Sequence, residues 1–365
     1  MISPEISAII SKFNYIGEPV AVKRCNNGHI NGTYFIDCES GRNKQRYVLQ
    51  SINTSVFKQP DHVMENVIKV TDHIKKKLAL EGKDTVQGTI NIVFTKDGRY
   101  SFVDESGNYW RSYIFIEGNC YQSADSPELM ERVGRAFGHF QRQLSDFDAS
   151  ALHESLPEFH NTVSRFADFE RSLSDDRFGR AETVKEDVKF ILDRKDKCSF
   201  IMDGIAKGEL PLRVTHNDTK LNNIMMDPET GEGRCVIDLD TVMPGSVLSD
   251  FGDAIRFGAS SAAEDETDLD KVYLRLDLFE GFVKGFLEGL EGTLIETEIR
   301  ALPMGAFILT LEQAIRFLGD YLNGDVYFRT DYPGHNIDRA RNQMKLVADI
   351  ECKMEEMNRI IEKYI

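Results

Sequence analysis

The sequence predicts an α+β protein in two lobes, a small antiparallel sheet lobe with one main helix followed by a larger, mostly helical lobe. Three observations predict it. Between Val20 and Ile116 short β-rich runs alternate with Gly, Asn and Asp turns, the texture of strands and hairpins. After Gly118 the apolar residues change to a spacing of three or four, the mark of amphipathic helices. The chain has 365 residues, more than one hydrophobic core usually serves, so two units with a cleft between them are expected. We place the lobes at residues 1–117 and 118–365, with the hinge near Glu117 to Tyr121.

The elements follow in order. From Met1 to Asn14, Ile6, Ile9, Ile10 and Phe13 stand at helical spacing, and Pro4, Glu5 and Lys12 break the apolar run; this is an amphipathic helix and not a signal peptide. Strands are expected over residues 20–24, 33–37, 46–50, 90–94 and 109–116. One helix interrupts them, because Val63, Val67, Val70, Ile74 and Leu78 share a face and stop before Gly82, a helix terminator. Ser126-Pro127 starts the second lobe's first helix, with Leu129, Val133, Phe137, Phe140 and Leu144 on one side and proline at the favoured first position. Residues 269–290, 296–322 and 338–362 are also helical in period, and a β-rich insertion dense in Asp and Asn lies over 213–253.

Composition narrows the function classes. Apolar residues make up 41% and charged ones 28%, enough for a packed core. Acidic residues outnumber Lys and Arg by 60 to 44, a net charge of -16, which repels nucleic acid and anionic membrane surfaces. Nowhere do about 18 apolar residues run together, as a membrane span needs. The six cysteines are scattered with no Cys-x-x-Cys pair, as reduced thiols would be and unlike a disulfide framework or a zinc site. A cytoplasmic protein is expected, with neither nucleic acid nor membrane as partner.

The sharpest signal is Val214-Thr-His-Asn-Asp-Thr-Lys-Leu-Asn-Asn-Ile224, where His216, Asp218 and Asn223 stand at the His-x-Asp-x-x-x-x-Asn spacing of a kinase catalytic loop. Phosphoryl transfer needs an Asp to orient the acceptor hydroxyl and take its proton, and an oxygen-bearing side chain to reach a hard cation on the phosphates. Asp218 is therefore the expected base, Asn223 an expected Mg²⁺ ligand and His216 a brace of the loop. Fifteen residues past Asn223, behind the apolar run Cys235-Val236-Ile237, comes Asp238, where a strand end would deliver a second metal carboxylate. A literal Asp250-Phe251-Gly252 also occurs, but no β-run precedes it; Asp250 and Asp253 are expected to cap backbone groups behind the catalytic loop. The plain alternative for the whole region is a cluster of Asx turns. Near the front, Asn27-Gly-His-Ile-Asn-Gly-Thr-Tyr34 lies between two expected strands, and Gly28 and Gly32 would let backbone approach phosphates. A hairpin turn explains the same residues.

These residues resemble the aminoglycoside phosphotransferase and choline kinase superfamily, and within it the N-acetylhexosamine 1-kinases. Gly28-His-Ile-Asn31, Asn53-Thr-Ser55, Phe147-Asp-Ala-Ser150, Leu212 to Asn223, Ile237-Asp-Leu-Asp240, Met243-Pro-Gly-Ser246, Ile255 to Ser260 and Arg316-Phe-Leu carry the similarity along nearly the whole chain. The resemblance implies a two-lobed protein-kinase-like fold, ATP at the lobe junction, Mg²⁺, and transfer of phosphate to the anomeric C1 hydroxyl of a free N-acetylhexosamine, GlcNAc or GalNAc. It assigns Asp218 as base, Asn223 and Asp238 as Mg²⁺ ligands, and Gly28, Asn31, Gly32 and Thr33 to the phosphate-covering loop, with His29 facing the sugar.

One departure matters. Tyr47-Val-Leu-Gln50 puts a neutral Gln50 where the wider kinase pattern has a phosphate-pairing Lys; Lys220 is the candidate replacement, its plain alternative a solvated lysine. For the sugar, Arg316, Asp320 and Tyr321 could share a helix face at the cleft, where Tyr321 could stack on a sugar ring, and the resemblance turns Arg316 toward substrate. An Arg316-Asp320 surface pair is the other reading. Kinases of homoserine, choline or aminoglycosides remain alternatives, a choline site wanting an aromatic cage and an aminoglycoside site an acidic one. Gln50 is the only residue favouring a nucleotide-binding regulator without catalysis.

Overall fold

The computed structural model describes residues 3–25 and 31–365. Helix α1 (Pro4–Ile10) opens on the cap of Ser3 and buries Ile9 and Ile10, with Phe13, against one face of a sheet. The sheet comprises β1 (Glu18–Cys25), β2 (Gly32–Ser40) and β3 (Asn43–Ile52), then, after α2 (Pro60–Leu80), β4 (Phe102–Val103) and β5 (Tyr109–Ile114). All pairings are antiparallel, in the order β1-β2-β3-β5-β4. The register sets Thr33 opposite Gln50 and Gln50 opposite Arg111, so these three side chains share one face of the sheet. α2 packs its Val63, Val67, Val70, Ile74 and Leu78 stripe onto Ile52 and Tyr109.

Residues 90–94 do not form the expected ladder strand. Ile92 makes a single bridge to Tyr113, because Asn91 turns its side-chain amide onto the carbonyls of Thr85, Val86 and Thr89 and holds the preceding backbone in a loop. The edge of β5 is shared: β4 pairs with Tyr109 and Trp110, and residues 91–93 reach Ser112 to Ile114 through the Val93 amide and the Asn91 carbonyl.

The second lobe runs α3 (Pro127–Gln143), α4 (Thr162–Asp175), α5 (Lys185–Leu192), α6 (Phe200–Ala206), β6 (Arg213–Thr215), β7 (Ile224–Met226), β8 (Gly233–Val236), β9 (Met243–Gly245), α7 (Val247–Gly258), α8 (Leu276–Leu290), α9 (Glu296–Leu322) and α10 (His335–Glu362). α8 starts later than its period suggests, because residues 269–271 form a 3₁₀ turn and Leu274 bridges Ser260. α3 and α8 cross closely. A Cβ at Gly134 would meet the carbonyl of Phe282, and one at Gly285 that of Glu131, so only glycine permits this backbone approach. α9 is long and apolar enough to cross a membrane by composition, yet 89% of that window is buried inside the protein; it is the core helix against which α4, α7 and α10 pack. The linker between lobes is stitched where Asn119 and Met226 exchange backbone hydrogen bonds at 2.9 Å and where Arg234 donates to the Glu117 carbonyl at 2.7 Å.

Candidate active site

Two short ladders fix the ends of the loop at 216–223. β6 pairs with β9 before it, and the β7–β8 hairpin follows it. The loop itself has no strand partners, so its buried amides must find side chains. Asp250 supplies two acceptors: the His216 amide donates to Oδ2 at 2.9 Å and the Asn217 amide to Oδ1 at 2.7 Å. Asp253 accepts from the Thr219 amide at 3.0 Å. The literal Asp-Phe-Gly triplet thus sits in the first turns of α7 as a backbone clamp. His216, buried, accepts from the Asp218 amide through Nδ1 (3.2 Å) and donates through Nε2 to the Ile237 carbonyl (2.8 Å). It therefore ties the segment carrying Asp218 to the one carrying Asp238. Asn217 and Asp238 both hold left-handed backbone, φ +63° and +60°, a conformation stored where surrounding structure enforces it.

Around Asp218 the charges converge. Lys220 Nζ lies 2.9 Å from Oδ1, and the Asn223 amide donates to Oδ2 at 3.1 Å and to the Asp218 carbonyl at 2.8 Å. Burial opposes ionisation of this half-buried carboxyl, but the Lys220 ammonium outweighs it and holds the group below the usual carboxylate range. Because the Asn223 nitrogen is committed to Asp218, its oxygen is the atom left for another ligand. Asp238 faces the solvent of the cleft. Confinement there, then Asp240, then Asp218, push its carboxyl up to about 6, a charge crowding that a cation would relieve.

Asp240, by contrast, is spent within the protein. One oxygen pairs with Arg111, and the other accepts from Asn31 Nδ2 at 2.7 Å. Asp238 carboxylate and Asn223 carbonyl oxygens are hard donors that fit Mg²⁺. Among the described residues no group of three or more His, Cys, Asp or Glu could hold a metal; Asn223 and Asp238 would need phosphate oxygens to complete such an ion's shell.

Opposite these carboxylates stands a residue the sequence reading missed. Arg111, buried on β5, donates to Gln50 Oε1 from Nε at 3.0 Å and from Nη2 at 2.7 Å while pairing with Asp240. Gln50 in turn donates to Thr33 Oγ1 at 3.1 Å, and Asn31 Oδ1 accepts the Asn53 amide at 3.0 Å. Asn31, Thr33, Gln50, Arg111 and Asp240 are thus one polar lattice across the lobe junction. The local signal was a lone Arg inside the aromatic strand Tyr109 to Tyr113, since a buried charge demands a partner. Gly32 opens β2, and a Cβ there would stand at ordinary contact distance from Ser51. Gly28 and His29 lie outside the described residues.

On α9, Arg316 is half-buried among rings. Its guanidinium lies 5.6 Å from the Phe159 ring centre, 5.7 Å from Tyr327 and 5.4 Å from Phe328, and among the described residues it makes no ion pair. Arg165 stands near it; burial first and Arg316 second draw the Arg165 guanidinium below its ordinary value. Asp320 does not pair with Arg316. It accepts the amides of Val326 and Tyr327 on one oxygen and Phe328 on the other, so it shapes the loop that carries the aromatic residues. Tyr321 is not brought to Arg316 either: five helical positions turn it by about 140°, and its ring lies 4.5 Å beneath Arg180.

The fold built around this cleft is shared with several solved kinases. A microcompartment-associated aminopropanol kinase superposes with a TM-score of 0.59 at 15% identity, 97% of this chain matching 98% of that one. A spectinomycin phosphotransferase in complex with ADP and spectinomycin gives 0.57 at 12%, over 98% and 99% of the two chains. A choline kinase from Cryptosporidium parvum gives 0.59 at 13%, over 94% and 92%. At such identities these relatives establish a protein-kinase-like fold. The model of the phosphotransferase enzyme family matches residues 21–290, and the chain belongs to that family.

Proposed function

We propose that this protein is an ATP- and Mg²⁺-dependent kinase that phosphorylates the anomeric C1 hydroxyl of N-acetylhexosamines. Residues 1–117 form its nucleotide-binding lobe and 118–365 its catalytic and substrate lobe. The observation that carries the phosphoryl-transfer reading is Asp218, held by Asn223 and Lys220 and linked through His216 to the segment bearing Asp238.

Asp218 accepts the hydrogen bond of the acceptor hydroxyl, orients it and takes its proton. Its lowered pKa keeps it ionised at neutral pH, and Lys220 offers a fixed positive charge beside the reacting oxygen. Asn223 and Asp238 would hold the metal, whose chemistry when bound is to neutralise phosphate charge and orient the transferred group. We assign Gly28, Asn31, Gly32, Thr33 and Gln50 to the nucleotide, and Arg111 behind Gln50 supplies the cation that a strand lysine would otherwise provide.

The acceptor wall favours a neutral polyol. Arg316 and Arg165 set two guanidiniums side by side with aromatic faces, and such a wall repels choline, ethanolamine and aminoglycoside cations while donating to hydroxyls and an amide carbonyl. His29 and Arg316 are assigned to the sugar, and Tyr327 presents the aromatic face. An ATP-consumption screen over free N-acetylhexosamines, choline, homoserine and aminoglycosides tests this. We expect turnover with the N-acetylhexosamines and none above background with the cations; the reverse ranking rejects the sugar reading and keeps the family.

A further inference from the structure

His160 precedes α4 and is enclosed between α9 and the loop of Asp218. Its Nδ1 stands 2.8 Å from Glu312 Oε1, and its Nε2 3.1 Å from the carbonyl oxygen of Asn217. Side-chain exposure is only 12% for His160 and 2% for Glu312, so water cannot substitute for either contact. Both partners are acceptors. A neutral imidazole has one N–H and serves one acceptor, leaving a ring lone pair against the other. The second oxygen of Glu312 already accepts from Thr162 Oγ1 at 2.6 Å, and a carboxylate buried among the apolar residues of α9 needs a cation nearby. Burial opposes ionisation of Glu312, but His160 beside it holds its carboxyl below the usual carboxylate range, and with Glu312 ionised the contacts are satisfied only by an imidazolium donating from both nitrogens.

The contact reaches the base through one peptide. Asn217 is in the left-handed region, its amide is clamped by Asp250, its side chain donates to the Thr241 carbonyl at 2.9 Å, and its carbonyl is held by His160. That carbonyl belongs to the peptide unit whose N–H is that of Asp218, so losing its donor leaves the unit held only through the Asp218 amide's bond to His216 and loosens the aim of the carboxylate. The charged groups acting on the ring are Glu312 from α9 and Asp253 from α7, and Arg316 from α9 and Arg165 from α4 face Glu312 on its far side. Burial disfavours the charged ring, but Glu312 foremost and Asp253 next raise its pKa above the ordinary histidine value.

We propose that His160 is a positioning residue, an imidazolium that holds the Asn217–Asp218 peptide in register and releases it when it loses a proton. This rests on Asp218 being the base. The sign follows from the raised pKa: the brace is intact below the folded-state pKa and is lost as pH rises through it. Turnover should therefore carry an alkaline decline belonging to His160.

The test uses the full chain with ATP, Mg²⁺ and N-acetylhexosamine, together with ¹⁵N-histidine NMR. His160→Ala should lower kcat by about 30-fold or more with KM for ATP within about twofold, since misplacement of a catalytic group costs rate and not nucleotide binding. Glu312→Gln is the discriminating variant. Its amide can donate to Nδ1 while Nε2–H still serves the carbonyl, so a neutral ring satisfies every bond, and the His160 alkaline decline should vanish whatever the level of kcat. In the parent, both ring nitrogens of His160, identified by loss of its signals in the His160→Ala variant, should show imidazolium shifts at neutral pH. A neutral ring there, an unchanged alkaline decline in Glu312→Gln, or a kcat within twofold of the parent in His160→Ala would each overturn the proposal. If the parent turns over no acceptor, the kinase reading fails by itself, and the NMR shifts still decide the charge on His160.

Discussion

Replacing Asp218 by Asn is expected to lower turnover by at least ~10³-fold while nucleotide binding persists. The amide is nearly isosteric, so the hydrogen bonds from Asn223 to the Asp218 carbonyl and from the Asp218 amide to His216 stay in place. What disappears is the acceptor of the hydroxyl's proton and the partner of the Lys220 ammonium. Steady-state kinetics together with nucleotide titration separates the two effects. A turnover within tenfold of the parent would remove Asp218 from the role of base.

Asp238→Ala is expected to act on binding as well as rate. Asp240 cannot take over as a metal ligand, because both of its oxygens are engaged by Arg111 and Asn31, and Asp250 is committed to the loop amides. Removing this cleft-facing carboxylate should therefore weaken nucleotide binding in Mg²⁺ and lower turnover by orders of magnitude, with little change in affinity measured without metal. Calorimetric titration with and without Mg²⁺ reads both. Unchanged affinity in Mg²⁺ would assign the metal to another carboxylate.

The convergence of His216, Asp218 and Asn223 was legible because it is local: they stand at fixed spacing on one short loop, and the sequence displays that spacing directly. The clamp by Asp250 and Asp253 was legible for a related reason, since acidic side chains behind a loop of unpaired amides have an obvious task. Arg111 was not legible. Its meaning depends on the β3–β5 register that sets it opposite Gln50 and on an Asp240 far along the chain, and neither is written locally. Helices α5 and α6, with 8 and 7 residues, are too short to display a clear period. The close crossing of α3 and α8 was present as glycines four apart, Gly134 and Gly138 against Gly281, Gly285 and Gly289, but glycine spacing predicts contact only once a partner helix is known. On α9 the expected shared face of Arg316 and Tyr321 failed because the two point about 140° apart. The rings near Arg316 come instead from Phe159 before α4 and from the Tyr327-Phe328 loop that Asp320 shapes.

The central claim is the position of the transferred phosphate, and phosphorus NMR of the product tests it most directly. Incubation with GlcNAc or GalNAc, ATP and Mg²⁺ should give an anomeric phosphate, a doublet from coupling to the single C1 proton, and the methyl glycoside should be inert because its C1 oxygen carries no proton for Asp218 to take. The sugar lacking the acetamido group should be turned over poorly, since each buried donor left unpaired costs about 1–3 kcal/mol. A resonance coupled to two protons, the signature of a 6-phosphate, or equal turnover of the methyl glycoside would contradict the assignment to the anomeric hydroxyl.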